Sequence, residues 1–133
     1  MKQIFTLTIN SDLHNVEQVE PFLERFKSQC GLDDRLYYDV LVVLTEAVNN
    51  SIIHGNGRDP DKKVQIIGII EEERIEFVVE DEGRGFDFNN VPDPTCERLI
   101  AQPNGRGVHI MRNLADYLDY TEKGRKVRIQ FAI

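Results

Sequence analysis

The sequence predicts an α+β fold, a two-layer α/β sandwich whose mixed, mainly antiparallel sheet carries its helices on one face. Three observations lead there. Two β-patterned stretches, Val64 to Ile70 and Ile75 to Val79, are separated by the polar turn Glu71-Glu72-Glu73, as in a hairpin. Two helical patterns follow one another with no strand between them. A final stretch, Val127, Ile129, Phe131 and Ile133, alternates cleanly. Hairpin-linked strands with grouped helices give a sheet covered on one side, unlike the strand–helix alternation of a doubly wound fold.

Each element follows from local pattern. Phe5, Leu7 and Ile9 alternate with Thr6 and Thr8, as a half-buried strand does. From about Asn15 to Cys30, Val16, Val19, Phe22, Leu23 and Phe26 recur at helical spacing, and Gly31 is a natural stop. Pro21 means that this helix kinks there or that its regular part starts near it. Asp33 and Asp34 open a second helix, where a carboxylate caps free N–H groups and suits the positive end of the dipole. Leu36, Val40, Leu44, Ala47, Val48 and Ile52 form its apolar stripe, ended by Gly55 and Gly57. The β-branched run Val64 to Ile70 reads as a well-buried strand. In the next strand Ile75, Phe77 and Val79 face one side, and Asp81 continues that parity toward the helices. Residues 87 to 104 contain Pro92, Pro94, Pro103, Asn89, Asn90 and Asn104, a long connection of the kind that serves as a lid. Val108, Met111, Leu114, Ala115 and Leu118 mark a third helix, with a short strand around Tyr117 to Thr121 as a further element.

Composition narrows the class of protein. The 133 residues suffice for one domain, 1–133, with a core that needs no metal or disulfide. A hydrophobic fraction of 41% with 29% charged residues excludes disorder. A net charge of -7 without a basic stripe argues against nucleic acid as a partner; Lys123-Gly124-Arg125-Lys126 reads as a solvated turn. Cys30 and Cys96 are far apart and outside any CxxC pair, so no zinc site is expected. With no signal peptide or membrane span in the pattern, a cytoplasmic protein with reduced thiols and no membrane partner is expected.

Four stretches carry chemistry. Glu46, Asn50 and His54 are spaced four apart along the edge of the apolar stripe. A carboxamide oxygen at Asn50 suits Mg²⁺ already held by phosphates, and Glu46 can accept a proton from a hydroxyl; a plain polar helix edge explains the spacing at least as well. Asp81-Glu82-Gly83-Arg84-Gly85-Phe86 directly follows a strand. A buried Asp81 needs partners, which an adenine amino group would supply, and Gly83 and Gly85 would let a flat base approach the backbone; an ordinary acidic turn is the alternative. In Gly105-Arg106-Gly107-Val108-His109-Ile110-Met111 two glycines precede the third helix, so exposed N–H groups and the helix dipole can hold phosphate, with Arg106 adding a charge. A Gly-rich loop without a ligand is the alternative there, and neither a Rossmann nor a P-loop pattern is matched. The fourth stretch is the lid, Phe88 to Asn104, between the two Gly motifs. Cys96 within it has no activating His in view, and His14 and His109 read as surface or capping residues.

The order of these stretches, Glu46-x-x-x-Asn50, Asp81-x-Gly83-x-Gly85, lid, then Gly105-x-Gly107, resembles the N, G1 and G2 boxes of the Bergerat-fold (GHKL) ATPases over essentially the whole chain. Glu46-Ala47-Val48-Asn49-Asn50-Ser51-Ile52-Ile53-His54-Gly55-Asn56, with Asp59-Pro60 following, resembles the anti-sigma-factor serine/threonine kinases within that superfamily. The resemblance implies ATP and Mg as cofactors and phosphorylation of a serine or threonine on an anti-anti-sigma (STAS-domain) protein, with a sigma factor as second partner and a homodimer as assembly. It implies Glu46 as the catalytic residue that polarises the attacking hydroxyl, Asn50 as the Mg²⁺ ligand, and Asp81 as the adenine anchor in a pocket shaped by Gly83 and Gly85. It also implies Gly105 and Gly107 as phosphate-loop glycines, with His54, Gly55, Arg106 and Val108 as further members of the ATP site. A sensor histidine kinase needs a phosphoacceptor helix ahead of the ATP domain, for which this sequence leaves no room, and gyrase-, Hsp90- and MutL-like proteins carry large additional domains. Relatives often carry a small hydroxyl residue after the glycine before the last strand, whereas here Gly124 is followed by Arg125. An ATP-binding partner switch that transfers no phosphate is therefore the alternative.

Overall fold

The computed structural model describes residues 2–83 and 103–133, the side chains of 103–108 excepted. Strand β1 (Gln3–Asn10) leads through a 3₁₀ segment, Leu13–Gln18, into helix α1 (Val19–Cys30). Pro21 falls in the first turn of α1, where its missing N–H has no intrahelical partner to lose. The regular helix thus starts just ahead of the proline. Gly31, with φ 64°, ends α1 and returns its N–H to the Lys27 carbonyl at 3.1 Å. The Asp33 carboxylate accepts the Leu36 N–H at 2.8 Å and caps α2 (Asp34–Asn50). Beyond Asn50 the winding loosens into a π-helical turn, Ser51–Gly55, closed by the Asn56 N–H on the Ser51 carbonyl at 2.8 Å. Such turns are concentrated at functional sites.

Strands β2 (Lys63–Ile70) and β3 (Arg74–Asp81) form the expected hairpin. Helix α3 (Pro103–Leu114), strand β4 (Tyr117–Thr121), a 3₁₀ turn at Glu122–Gly124 and strand β5 (Lys126–Ala132) complete the described chain. The sheet order is β1-β2-β3-β5-β4. The antiparallel character expected of the sheet extends to every described pairing. On one face, Val40, Leu44, Ala47, Val48 and Ile52 of α2 and its π turn meet Val64, Ile66, Ile75, Phe77, Val79, Val127, Ile129 and Phe131 of the sheet, all buried. Helix α3 packs on α2. At the α1 side, the Phe26 ring lies against Phe5, Phe22 and Phe77, with centroids 5.0, 5.7 and 4.9 Å away. Gly68 makes room for it, since a Cβ there would lie 2.2 Å from the Phe26 ring. None of the described helices is long and apolar enough to cross a membrane.

The structure corrects two boundaries. Helix α3 begins at Pro103 and not at Val108, so Gly105 and Gly107 lie inside its first two turns and not in a loop ahead of it. Proline at the first helical position is preorganised for that start, a signal stronger than the helix-weakening effect of two glycines. Leu118, which fits the helical spacing, belongs instead to β4, where it lies opposite Ile129. The remainder of the lid, from Phe88 up to residue 102 and including Cys96, lies outside the described residues, as does Gly85.

Candidate functional site

The site is built where the π turn after α2 meets the end of β3. Strand parity carries Asp81 to the helix-covered face, with Ile75, Phe77 and Val79 fully buried ahead of it and Asp81 itself 5% exposed. Its N–H donates to the Arg125 carbonyl at 2.9 Å, which extends the β3–β5 ladder by one step. Its Oδ1 accepts the Gly83 N–H at 2.9 Å, and its Oδ2 is buried and makes no well-aligned hydrogen bond among the described residues, with the Ser51 hydroxyl near the carboxyl group. The backbone presses in from both sides. A Cβ on Gly55 would lie 2.2 Å from Asp81 Oδ2, and a Cβ on Gly83 would lie 1.6 Å from the Gly55 carbonyl oxygen. Gly55, Asp81 and Gly83, three of the residues singled out in the sequence, therefore converge at one point, and only glycine fits at two of those positions.

Burial raises the Asp81 carboxyl from its usual 3.8 to about 6, against the opposing pull of the Gly83 N–H, the Ser51 hydroxyl and the Arg125 charge; Glu80 adds to the rise. Between those two values the folded chain holds the proton more tightly than the unfolded chain. The carboxylate's contribution to stability therefore falls as pH rises through that window and stays low above it. Asp81→Asn is expected to flatten the stability loss between about pH 4 and about pH 6.5, read by urea unfolding across the range. An unchanged slope would show that Asp81 does not carry this proton.

Asn50 is buried at the end of α2, and its amide nitrogen makes no well-aligned hydrogen bond among the described residues. The Tyr120 hydroxyl of β4 lies beside this carboxamide. Burial pushes Tyr120 up to about 12, with Asn50 and the Arg112 charge acting against the rise and Asp81 and Glu46 adding to it. Those influences mark Glu46, Asn50, Asp81, Tyr120 and Arg112 as one electrostatic neighbourhood. Glu46, one turn before Asn50, is half-buried, and desolvation raises its carboxyl above the ordinary 4.5. His54 is exposed, while partial desolvation and then Arg58 lower its imidazole. Gly105 sits in the first turn of α3, where N–H groups have no partner within the helix. The Arg106 and Val108 side chains lie outside the described residues. Among the described residues no three His, Cys, Asp or Glu side chains group as a metal cage.

Sequence pattern singles out neither of two further contributors. Ser51 stands inside the motif with no spacing signal of its own, yet its hydroxyl acts on Asp81. Tyr120 was legible only as part of a short strand. Its signal was strand parity, since it lies opposite the buried Val127 and so faces the helices.

Among the described residues, then, an antiparallel five-stranded sheet with helices on one face carries a buried carboxylate at the end of a central strand, with glycines closing round it. The family model described as histidine kinase-like ATPase domain matches residues 9–131, and the chain belongs to that family. Within it, the chain is similar to proteins named anti-sigma F factor. The one from Oceanobacillus iheyensis is 33% identical over 94 residues, covering 67% of this chain and 64% of the relative. That from Clostridium perfringens is 33% identical over 96 residues, covering 68% and 67%. That from Geobacillus stearothermophilus is 36% identical over 80 residues, covering 59% and 55%. The similarity thus spans from just over half to about two thirds of these relatives' length.

Proposed function

We propose that this chain binds Mg-ATP and acts as an anti-sigma-factor serine/threonine kinase in the cytoplasm, passing the γ-phosphate to a serine or threonine of an anti-anti-sigma (STAS-domain) protein. The observation that carries nucleotide binding is Asp81 Oδ2, a buried acceptor that makes no well-aligned hydrogen bond among the described residues. A buried acceptor is costly unless a donor meets it, and the exocyclic amino group of adenine is such a donor. Similarity to proteins named anti-sigma F factor supports a sigma factor as the antagonised partner.

The chemistry follows from the residues around that point. The target hydroxyl oxygen attacks the γ-phosphorus, the bond to the β,γ-bridging oxygen breaks, ADP leaves, and the hydroxyl proton passes to Glu46. A carboxylate with a raised pKa is a better base near neutral pH than an ordinary one. Asn50 fits a metal held chiefly by phosphate, because one buried carboxamide offers a single neutral oxygen, a ligand and not a cage. Mg²⁺, when bound there, neutralises charge on the phosphates. Gly105, in the first turn of α3, offers an N–H without a partner inside the helix and the positive end of the dipole to the same anion.

Asp81→Asn is the direct test of the adenine assignment. The amide presents an N–H where an acceptor is needed, and losing a hydrogen bond to a charged group costs about 1.5–3 kcal/mol, roughly ten- to a hundredfold in affinity. Calorimetry with Mg-ATP should show that loss; equal affinity in the two proteins would remove Asp81 from the adenine site.

A further inference from the structure

We infer that Asn56 is a positioning residue for nucleotide recognition, holding the turn that carries Asp81 and Gly83 in register with the π turn. The inference deepens the proposed ATP binding and rests on it. Asn56 is 3% exposed and lies immediately after Gly55. Its carboxamide connects segments that are remote in the chain. The Nδ2 group donates to the Ser11 hydroxyl at 2.5 Å, beyond the end of β1, and to the Lys63 carbonyl at 3.0 Å, at the start of β2. Its Oδ1 accepts the Glu82 N–H at 2.8 Å, just past the end of β3. Its own N–H closes the π turn on the Ser51 carbonyl.

The Glu82 contact is the informative one. Glu82 stands between Asp81 and Gly83, and its N–H is the amide that follows the Asp81 side chain in the backbone. Gly83 in turn donates to Asp81 Oδ1 at 2.9 Å. The Glu82 carboxylate accepts the Lys63 N–H at 3.0 Å, so the same turn is tied a second time to the segment that Asn56 holds. The direction in which Asp81 Oδ2 points is set by this turn, and the turn is set by Asn56 Oδ1 on one side and by the Gly55 carbonyl on the other. No other side chain of this size supplies two donors and an acceptor in one plane. Aspartate loses both donors and faces the Lys63 carbonyl with a buried charge, and alanine loses every bond.

Wild type, Asn56→Ala and Ser11→Ala are compared by calorimetry with Mg-ATP and with Mg-GTP, alongside urea unfolding. Ser11→Ala removes one Asn56 partner but leaves the Glu82 contact, so it reports the structural part of the network. A merely structural role scales apparent affinity for both nucleotides by the same factor, the fraction folded. A positioning role lowers ATP affinity by about tenfold in the folded protein and lowers the ATP-over-GTP preference with it, because guanine presents an oxygen where adenine presents the amino group. That loss is expected in Asn56→Ala and not in Ser11→Ala. Should Asn56→Ala fail to fold, amide exchange in the wild-type chain decides: the Glu82 and Gly83 amides are expected to be protected, and more so with Mg-ADP. Asn56→Ala retaining the wild-type preference, or fast exchange at both amides, overturns the inference and leaves ATP binding standing. A wild-type chain with no preference for adenine overturns that reading and this inference together.

Discussion

Glu46→Gln is expected to reduce phosphate transfer to a cognate STAS-domain protein by about 10²–10⁴-fold, the usual contribution of a positioned general base, while Mg-ATP binding survives. Glutamine has the same shape, and Glu46 sits one turn from Asn50 without a described contact to Asp81, so the substitution removes a proton acceptor and little else. Transfer of labelled γ-phosphate, with calorimetry in parallel, separates chemistry from binding. The pH profile gives an independent reading. The base must be ionised, and desolvation raises the Glu46 carboxyl, so transfer should fail on acidification at a higher pH than an ordinary carboxylate near 4.5 would dictate. If wild type binds ATP yet transfers nothing to a STAS-domain protein encoded nearby, the chain is an ATP-binding partner switch and Glu46 has no catalytic role. Arg125 is the feature that keeps this alternative in play. It stands where a small hydroxyl residue is expected, and its guanidinium turns back to its own turn, with Nε on the Glu122 carbonyl at 3.1 Å and an ion pair to the Glu122 carboxylate at 3.9 Å.

Gly83→Ala should damage both stability and binding. A Cβ at that position would lie 1.6 Å from the Gly55 carbonyl oxygen and 3.0 Å from the Asn56 nitrogen. Both neighbours are backbone, so neither can rotate away, and relief requires the end of β3 to separate from the π turn. Overpacking of this kind costs about 1–3 kcal/mol, and a clash between two backbones belongs at the top of that range or above it. The same separation misplaces Asp81, so Mg-ATP affinity is expected to fall about a hundredfold, equivalent to ~3 kcal/mol. Urea unfolding and calorimetry on one preparation read both effects. Gly57→Asn is the contrast: no atom lies within 4 Å of a Cβ there, and asparagine tolerates its φ of 62°. If Gly83→Ala unfolds at the wild-type urea concentration and binds ATP as tightly, the closure of glycines round Asp81 does not shape the site.

Local pattern alone determined the two-layer class, the caps at Gly31 and Asp33, the β2–β3 hairpin and the parity that buries Asp81. These are legible because side-chain direction repeats every two residues in a strand and about every 3.6 in a helix, and because a cap acts within one turn. Of the residues that the motif order proposes for the site, the fold brings Gly55, Asp81 and Gly83 together. What the sequence alone could not settle depends on contacts between segments far apart in the chain. The alternation of Glu76 with its neighbours implies an exposed carboxylate, yet it is buried on the open face of the sheet, paired with Arg128 at 3.3 Å and Gln130 at 3.0 Å. The π turn that brings Gly55 onto Asp81, the approach of Tyr120 to Asn50 and the bonds of Asn56 to Ser11, Lys63 and Glu82 were equally out of reach. A buried polar atom takes whichever partner the packed chain brings within about 3 Å, and sequence spacing carries no record of that choice.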